Sequence, residues 1–204
     1  MLGAAFTALS PSGNRARLSI LIFHRVHAQP DPLFPDEVNA RQFDAICSWV
    51  RTWCQVLPLP EAVARLREGS LPSGALSITF DDGYADNQQV ATPILQRHGL
   101  TASFFIATNF IGGGRMWNDT LIESIRRAPG SSIDLGDIEG LQTLGRVSLD
   151  GIEQRRAAVA AIIGVAKYLE APQRADLVSQ VARRIGAMLP DDLMMSPEQV
   201  RSLR

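Results

Sequence analysis

Leu76-Ser77-Ile78-Thr79-Phe80-Asp81-Asp82-Gly83-Tyr84 is the stretch on which the reading of this 204-residue chain turns. An apolar, strand-prone run ends at two adjacent carboxylates, and a glycine follows at once. Neighbouring side chains on a regular strand leave opposite faces. The two acids can therefore serve one site only where the strand has ended and the backbone turns, which Gly83 permits. In α/β proteins the C-terminal ends of strands are where ligand-binding and catalytic groups collect. Like charges this close oppose each other's ionisation, so the pair calls for a cation, a proton or a substrate between them. The plain alternative is a solvated Asp-Asp-Gly turn between a strand and a helix, since Asp and Gly are ordinary turn residues.

Upstream, Arg17 to His24 carries Leu18, Ile20, Leu21, Ile22 and Phe23 almost without interruption, which predicts a strand buried on both faces. A Pro/Asp-rich loop spans Gln29 to Glu37, and Asn39 then caps a helix with Phe43, Ile46, Cys47 and Val50 at helical spacing. Gln55 to Leu57 reads as a short strand, Glu61 to Arg67 as a brief helix and Gly69 to Gly74 as a loop. Downstream of the acids, a helix is predicted from Asn87 to His98 with Val90, Ile94 and Leu95 inward and Gly99 past its end. Thr101 to Thr108 is a further apolar strand, and this alternation argues for βαβ units in a parallel sheet or barrel.

After Phe110 the pattern changes. Gly112 to Gly114 form a flexible loop without the spacing of a phosphate-binding fingerprint. Asp119 to Arg127 reads as helix, Pro129 to Ser132 as linker, and 134–149 is weakly patterned. Amphipathic helices follow over Ile152 to Leu169 and Pro172 to Met188; Ser196 and Pro197 open another that runs on to Arg204. Residues 111–195 thus read as a mostly helical insertion within one domain spanning 1–204.

The length suits one ordinary domain with a substantial core. Twenty basic against 21 acidic side chains, with no basic cluster, disfavour nucleic-acid binding by phosphate neutralisation. Cys47 and Cys54 read as free buried thiols without neighbours at zinc-site spacing. Met1 to Ser10 lacks a basic leader and reads as a frayed lead-in or short helix, not a secretory signal. No run approaches the ~18 apolar residues of a transmembrane helix. The compartment stays open, with the cytoplasm as default.

Thr79-Phe80-Asp81-Asp82-Gly83-Tyr84 resembles the first motif of the polysaccharide deacetylase family (carbohydrate esterase family 4, the NodB-homology domain). Leu21-Ile22-Phe23-His24-Arg25-Val26 is similar to that family's early strand end. Ala102 to Ala107 resembles the strand after its first helix, and Met116-Trp117-Asn118-Asp119 a loop of one bacterial subgroup. The resemblance is strongest from Leu21 to Arg127. It implies an α/β fold, a parallel-stranded (β/α) barrel of the deacetylase type. It also implies a metal-dependent hydrolase that removes N-acetyl or O-acetyl groups from a polysaccharide or oligosaccharide. By the same resemblance Asp81 is the general base, Asp82 a ligand to a divalent metal, zinc, and two further ligands come from a later His-x-x-x-His motif.

That motif is missing. The chain holds only His24, His27 and His98, and no two of them have its spacing. The sequence therefore reads as the N-terminal portion of a deacetylase: an incomplete barrel, inactive alone, whose open sheet edge invites self-association. Two alternatives stand beside this reading. One is a non-catalytic glycan-binding relative without its metal histidines; the other is a different carboxylate–metal carbohydrate enzyme, although no Asp-x-Asp pair stands at a strand end.

Further candidates each carry two readings. His24 lines the site or is satisfied by a backbone carbonyl. Tyr84 shapes the sugar site or packs. Trp117 stacks on a sugar, or acts as a hydrophobic staple at a helix start capped by Asn118. Arg25 orients a carboxylate or makes a surface pair. His27 reads as solvent-exposed, and His98 as placed for a helix dipole.

Overall fold

The computed structural model describes residues 10–203, so the lead-in expected over Met1 to Ser10 falls outside the described residues except for Ser10 itself. Two compact units divide the chain. The first takes residues up to Pro30, Asp36–Gly112 and Met194 onward; the second takes Asp31–Pro35 and Gly113–Leu193.

In the first unit, β1 (Ser19–Phe23), α1 (Ala40–Trp53), β2 (Gln55–Val56), α2 (Leu59–Arg67), β3 (Ala75–Phe80), α3 (Thr92–His98) and β4 (Ser103–Phe104) follow one another. All four strands are parallel, and β1, β2 and β4 each pair with β3. β1 runs along β3 from Ser19↔Leu76 to Phe23↔Phe80. β2 adjoins the start of β3, and β4 adjoins its end. Strand period then sorts β3 into two faces. Leu76, Ile78 and Phe80 pack with Phe43, Cys47 and Val50 of α1 and with Ile94 and Leu95 of α3. Phe80 anchors this core, its ring stacked at 5.4 Å on Phe23 and 5.1 Å on Phe104, with Phe43 edge-on at 5.8 Å. Ser77 and Thr79, on the opposite face, are buried as well, and the Ser77 hydroxyl donates to Leu57 O at 2.9 Å.

The expectation of a β1 buried on both faces is overturned. Ile20 and Ile22 are 44% and 59% exposed, whereas Leu21 and Phe23 pack on the core. β1 pairs only with β3 among the described residues, so its apolar run belongs to a sheet edge with one covered face. The strand expected over Thr101 to Thr108 shortens to Ser103–Phe104, because β3 ends at Phe80 and offers no further partner; Phe105 is exposed. The expected helix from Asn87 begins as a π-helical turn over Asn87–Ala91 before α3, and Gly99 closes it in the left-handed conformation at φ 65°. Asn39 caps α1 as read: its side chain accepts from Arg41 N and Gln42 N, and Gln42 reciprocates. Both cysteines are free; Cys47 is buried and Cys54 half-buried.

The second unit holds α4 (Trp117–Arg126), β5 (Ser132–Asp134), β6 (Arg146–Ser148), α5 (Ile152–Ala166) and α6 (Ala171–Ile185). Its core centres on Leu121, Ile125, Leu141, Ile162 and Val181. β5 and β6 form an antiparallel pair, with Ile133 opposite Val147, in the stretch read as linker and unpatterned chain. Asp31 joins this unit through a two-pronged pair with Arg126 at 2.8 and 2.6 Å. The last helix, α7 (Pro197–Arg201), has Ser196 as N-cap and ends ahead of Arg204, not at it. No helix among the described residues is long and apolar enough to cross a membrane.

Candidate active site

Because β1 and β3 run in register, the residues that follow them emerge side by side. Asp81 N donates to Phe23 O at 2.9 Å, which sets His24 and Asp81 at adjacent strand ends. Asp82 then takes φ 74° and is the one non-glycine residue in the left-handed region among those described. Asp tolerates that region better than most residues, but it remains strained there. The turn is pinned on both sides, with Gly83 N donating to Asp81 O at 3.0 Å and Ala107 N to Asp82 O at 3.1 Å. Gly83 follows at φ 83°, where an added Cβ would stand 2.8 Å from Ile106 Cγ2, and its carbonyl accepts from Met195 N. Adjacent acids are thereby taken out of strand alternation at the end of a fully buried strand. Both are half-buried, and neither has an ion-pair partner among the described residues.

One turn later a polar network fastens the end of β1 to this motif. Arg25 Nε donates to Asp86 Oδ2 at 2.8 Å, and Val26 N to Asp86 Oδ1 at 3.3 Å. Asn87 Nδ2 donates to Asp86 Oδ1 at 3.1 Å and to His24 O at 2.9 Å. Asn87 is wholly buried, and its Oδ1 has no partner among the described residues. Arg25 thus pairs with the carboxylate of Asp86. The part played by Asn87 was not read from the sequence; its only signal was an amide at the start of an apolar helix. The π-helical turn that begins there is a feature frequent at functional sites.

The remaining candidates divide. His24 has an exposed ring and a bonded carbonyl. Tyr84 is 4% exposed, with the Arg25 guanidinium 4.6 Å over its ring. Trp117 belongs to the second unit, where it opens α4 beneath the Arg174 guanidinium at 5.1 Å and packs on that unit's core. The bracket at this helix start is Asp119, whose Oδ2 accepts from Met116 N at 3.2 Å; Asn118 is not the cap. His27 is not solvated: it pairs with Glu37 and is half-buried. His98 bonds Asp44 at 2.9 Å.

Two neighbouring carboxylates without a cationic partner suit a cation electrostatically. The donor set falls short of a metal centre, however. No group of three or more His, Cys, Asp or Glu that could hold a metal ion occurs among the described residues, and hydrolytic sites ordinarily use three protein ligands. The residues present therefore do not fit a resident metal on their own.

Known proteins share this layout of sequence. Residues 68–133 match the polysaccharide deacetylase family. The chain is 34% identical over 99 residues to YxkH of Bacillus subtilis (strain 168), a protein named as a polysaccharide deacetylase; the match takes in 48% of this chain and 34% of YxkH. The chain thus spans about a third of that relative's length. Among solved structures, the Streptococcus pyogenes deacetylase PplD in complex with acetate is similar at 27% identity and a TM-score of 0.41, over 45% of this chain and 42% of that one. IcaB from Ammonifex degensii is similar at 15% identity and a TM-score of 0.43, over 95% of this chain and 97% of that one.

Proposed function

We propose, from the match of residues 68–133 to the polysaccharide deacetylase family, that this chain carries the acidic half of a site for removing acetyl groups from a polysaccharide. The observation that supports this most is the Asp81–Asp82 turn at the C-terminal end of β3, strained at Asp82 and without a basic partner among the described residues. In this reading Asp81 is the base that takes a proton from the attacking water, and it must be ionised to do so. Asp82 would offer one carboxylate toward a divalent cation, zinc by family resemblance, that these residues do not hold as a resident metal on their own. The Asp86–Arg25–Asn87 network holds both strand ends in register behind them. Because the sequence holds no His-x-x-x-His pair, the cation is left without the nitrogen ligands that the family uses. We therefore expect weak cation binding and no appreciable turnover from these 204 residues.

Manganese titration followed by NMR tests the site. Paramagnetic broadening should concentrate on the amides of Asp81 to Tyr84 and vanish in Asp82→Ala. Broadening spread evenly over the surface acids, or unchanged in Asp82→Ala, overturns the assignment. Acetate release from an N-acetylglucosamine oligomer, at a rate above that of Asp82→Ala, would overturn the expected inactivity.

A further inference from the structure

The second unit contains a cavity of about 370 Å³ between the β5–β6 connection and one face of α6. This is within the size range of small-ligand sites, roughly 300–1,000 Å³. Gln173, Asp176, Leu177 and Gln180 line it from α6 at helical spacing, and Glu139, Gly140 and Gln142 face them from the connection. Leu169 and Leu177 supply apolar surface. Three amides and two carboxylates supply donors and acceptors for hydroxyl groups; Gln142 Oε1 accepts from Gly140 N at 2.9 Å, which leaves its amide nitrogen for a ligand.

The charge of the lining is one-sided, since no lysine or arginine contributes to it. The basic residues of α6 and of the turn before it have partners outside the lining, apart from Arg174, which also bonds the carbonyl of the lining residue Leu169. Arg174 donates to Leu169 O and covers Trp117, Arg183 donates to Ser179, Arg184 pairs with Asp137, and Lys167 lies over Tyr168. Asp176 accepts from Gln180 through Oδ2 at 2.7 Å, and Glu139 has no ion-pair partner among the described residues. An anionic glycan would meet two uncompensated carboxylates here, whereas an ammonium would be stabilised by them.

We propose that this cavity binds a glycosamine unit in its free-amine, protonated form, the product type that deacetylation leaves on a polysaccharide. The proposal rests on the deacetylase reading for the identity of the sugar, and on the cavity for its charge. Its role would be to hold the second unit on chain already deacetylated, separate from the Asp81–Asp82 turn.

The test is an NMR titration of the 204-residue chain with a glucosamine tetramer, an N-acetylglucosamine tetramer and spermidine. The expected result is saturable binding of the glucosamine tetramer, with shifts at Gly140, Gln142, Asp176 and Gln180. Both the acetylated tetramer and spermidine should bind at least about tenfold more weakly, the worth of a charge-assisted hydrogen bond or of the hydroxyl contacts. Asp176→Asn and Glu139→Gln, both at exposed positions, should each weaken binding several-fold while the fold persists. No saturable binding, equal affinity for the two tetramers, or equal affinity for spermidine overturns the proposal. Asp82→Ala should leave this titration unchanged. Absence of manganese broadening at Asp81–Tyr84 in the parent chain, with the titration intact, therefore counts against the deacetylase reading, and the reverse outcome counts against this cavity alone.

Discussion

Asp82 and Gly83 occupy consecutive left-handed positions, and the two residues respond differently to change. At Asp82 a glycine relieves the backbone, whereas alanine keeps the strain and loses the carboxylate. Asp82→Gly should therefore be more stable than Asp82→Ala by about 1 kcal/mol in urea denaturation, with both losing cation binding. Equal stabilities would mean that the turn relaxes when the carboxylate leaves. At Gly83 any side chain meets Ile106 at 2.8 Å as well as the φ penalty, so Gly83→Ala should cost about 2 kcal/mol or more. The placing of these acids past a strand end was legible in the sequence because turn chemistry is local. The Arg25–Asp86 and Asn87–His24 bonds were not, because they join residues more than 60 apart that only the β1–β3 register brings together.

Elements pack here through a few large side chains, and legibility followed the same division. α1 was readable because its N-cap and its stripe of Phe43, Cys47 and Val50 lie within one helix. β1 was misread because an unbroken apolar run looks the same whether neighbouring elements cover one face or both. β5 and β6 escaped notice because three-residue strands give too little periodicity to register. Phe43 bridges α1 to the β3 core with its ring against both Phe23 and Phe80, so Phe43→Ala should lose about 3–5 kcal/mol. A urea midpoint shift corresponding to less than about 1 kcal/mol would show that the sheet repacks over the gap. Asp44 of α1 ties the same helix to α3. The hydrogen bond from His98, and then that from Arg97, hold its carboxyl below the ordinary value of 3.8. A carboxyl depressed on folding contributes stability that is complete above 3.8 and fades as pH falls through its folded value. Thermal melts should accordingly show Asp44→Asn less stable than the parent at neutral pH, with the gap closing as the solution is acidified below pH 4. A gap that widens in acid would reverse the sign of this linkage.

For the whole molecule, the consequence lies in how the sheet meets solvent. β3 is protected by strands on either side, but β1 presents an unpaired backbone edge among the described residues, together with exposed Ile20 and Ile22 on one face. An apolar edge of this kind is a template for another strand, and charged residues are the usual safeguard. Neither isoleucine packs into the cores of the described residues, so a lysine there should cost the fold little. Self-association of the chain should then run through this edge. Light scattering at rising concentration should show growth beyond the monomer for the parent chain, and markedly less for Ile22→Lys at an unchanged melting temperature. Core substitutions should behave oppositely, raising association only as they lower the melt. A parent chain that stays monomeric throughout, or an Ile22→Lys variant that associates as readily, would remove β1 from the account of how this molecule meets its neighbours.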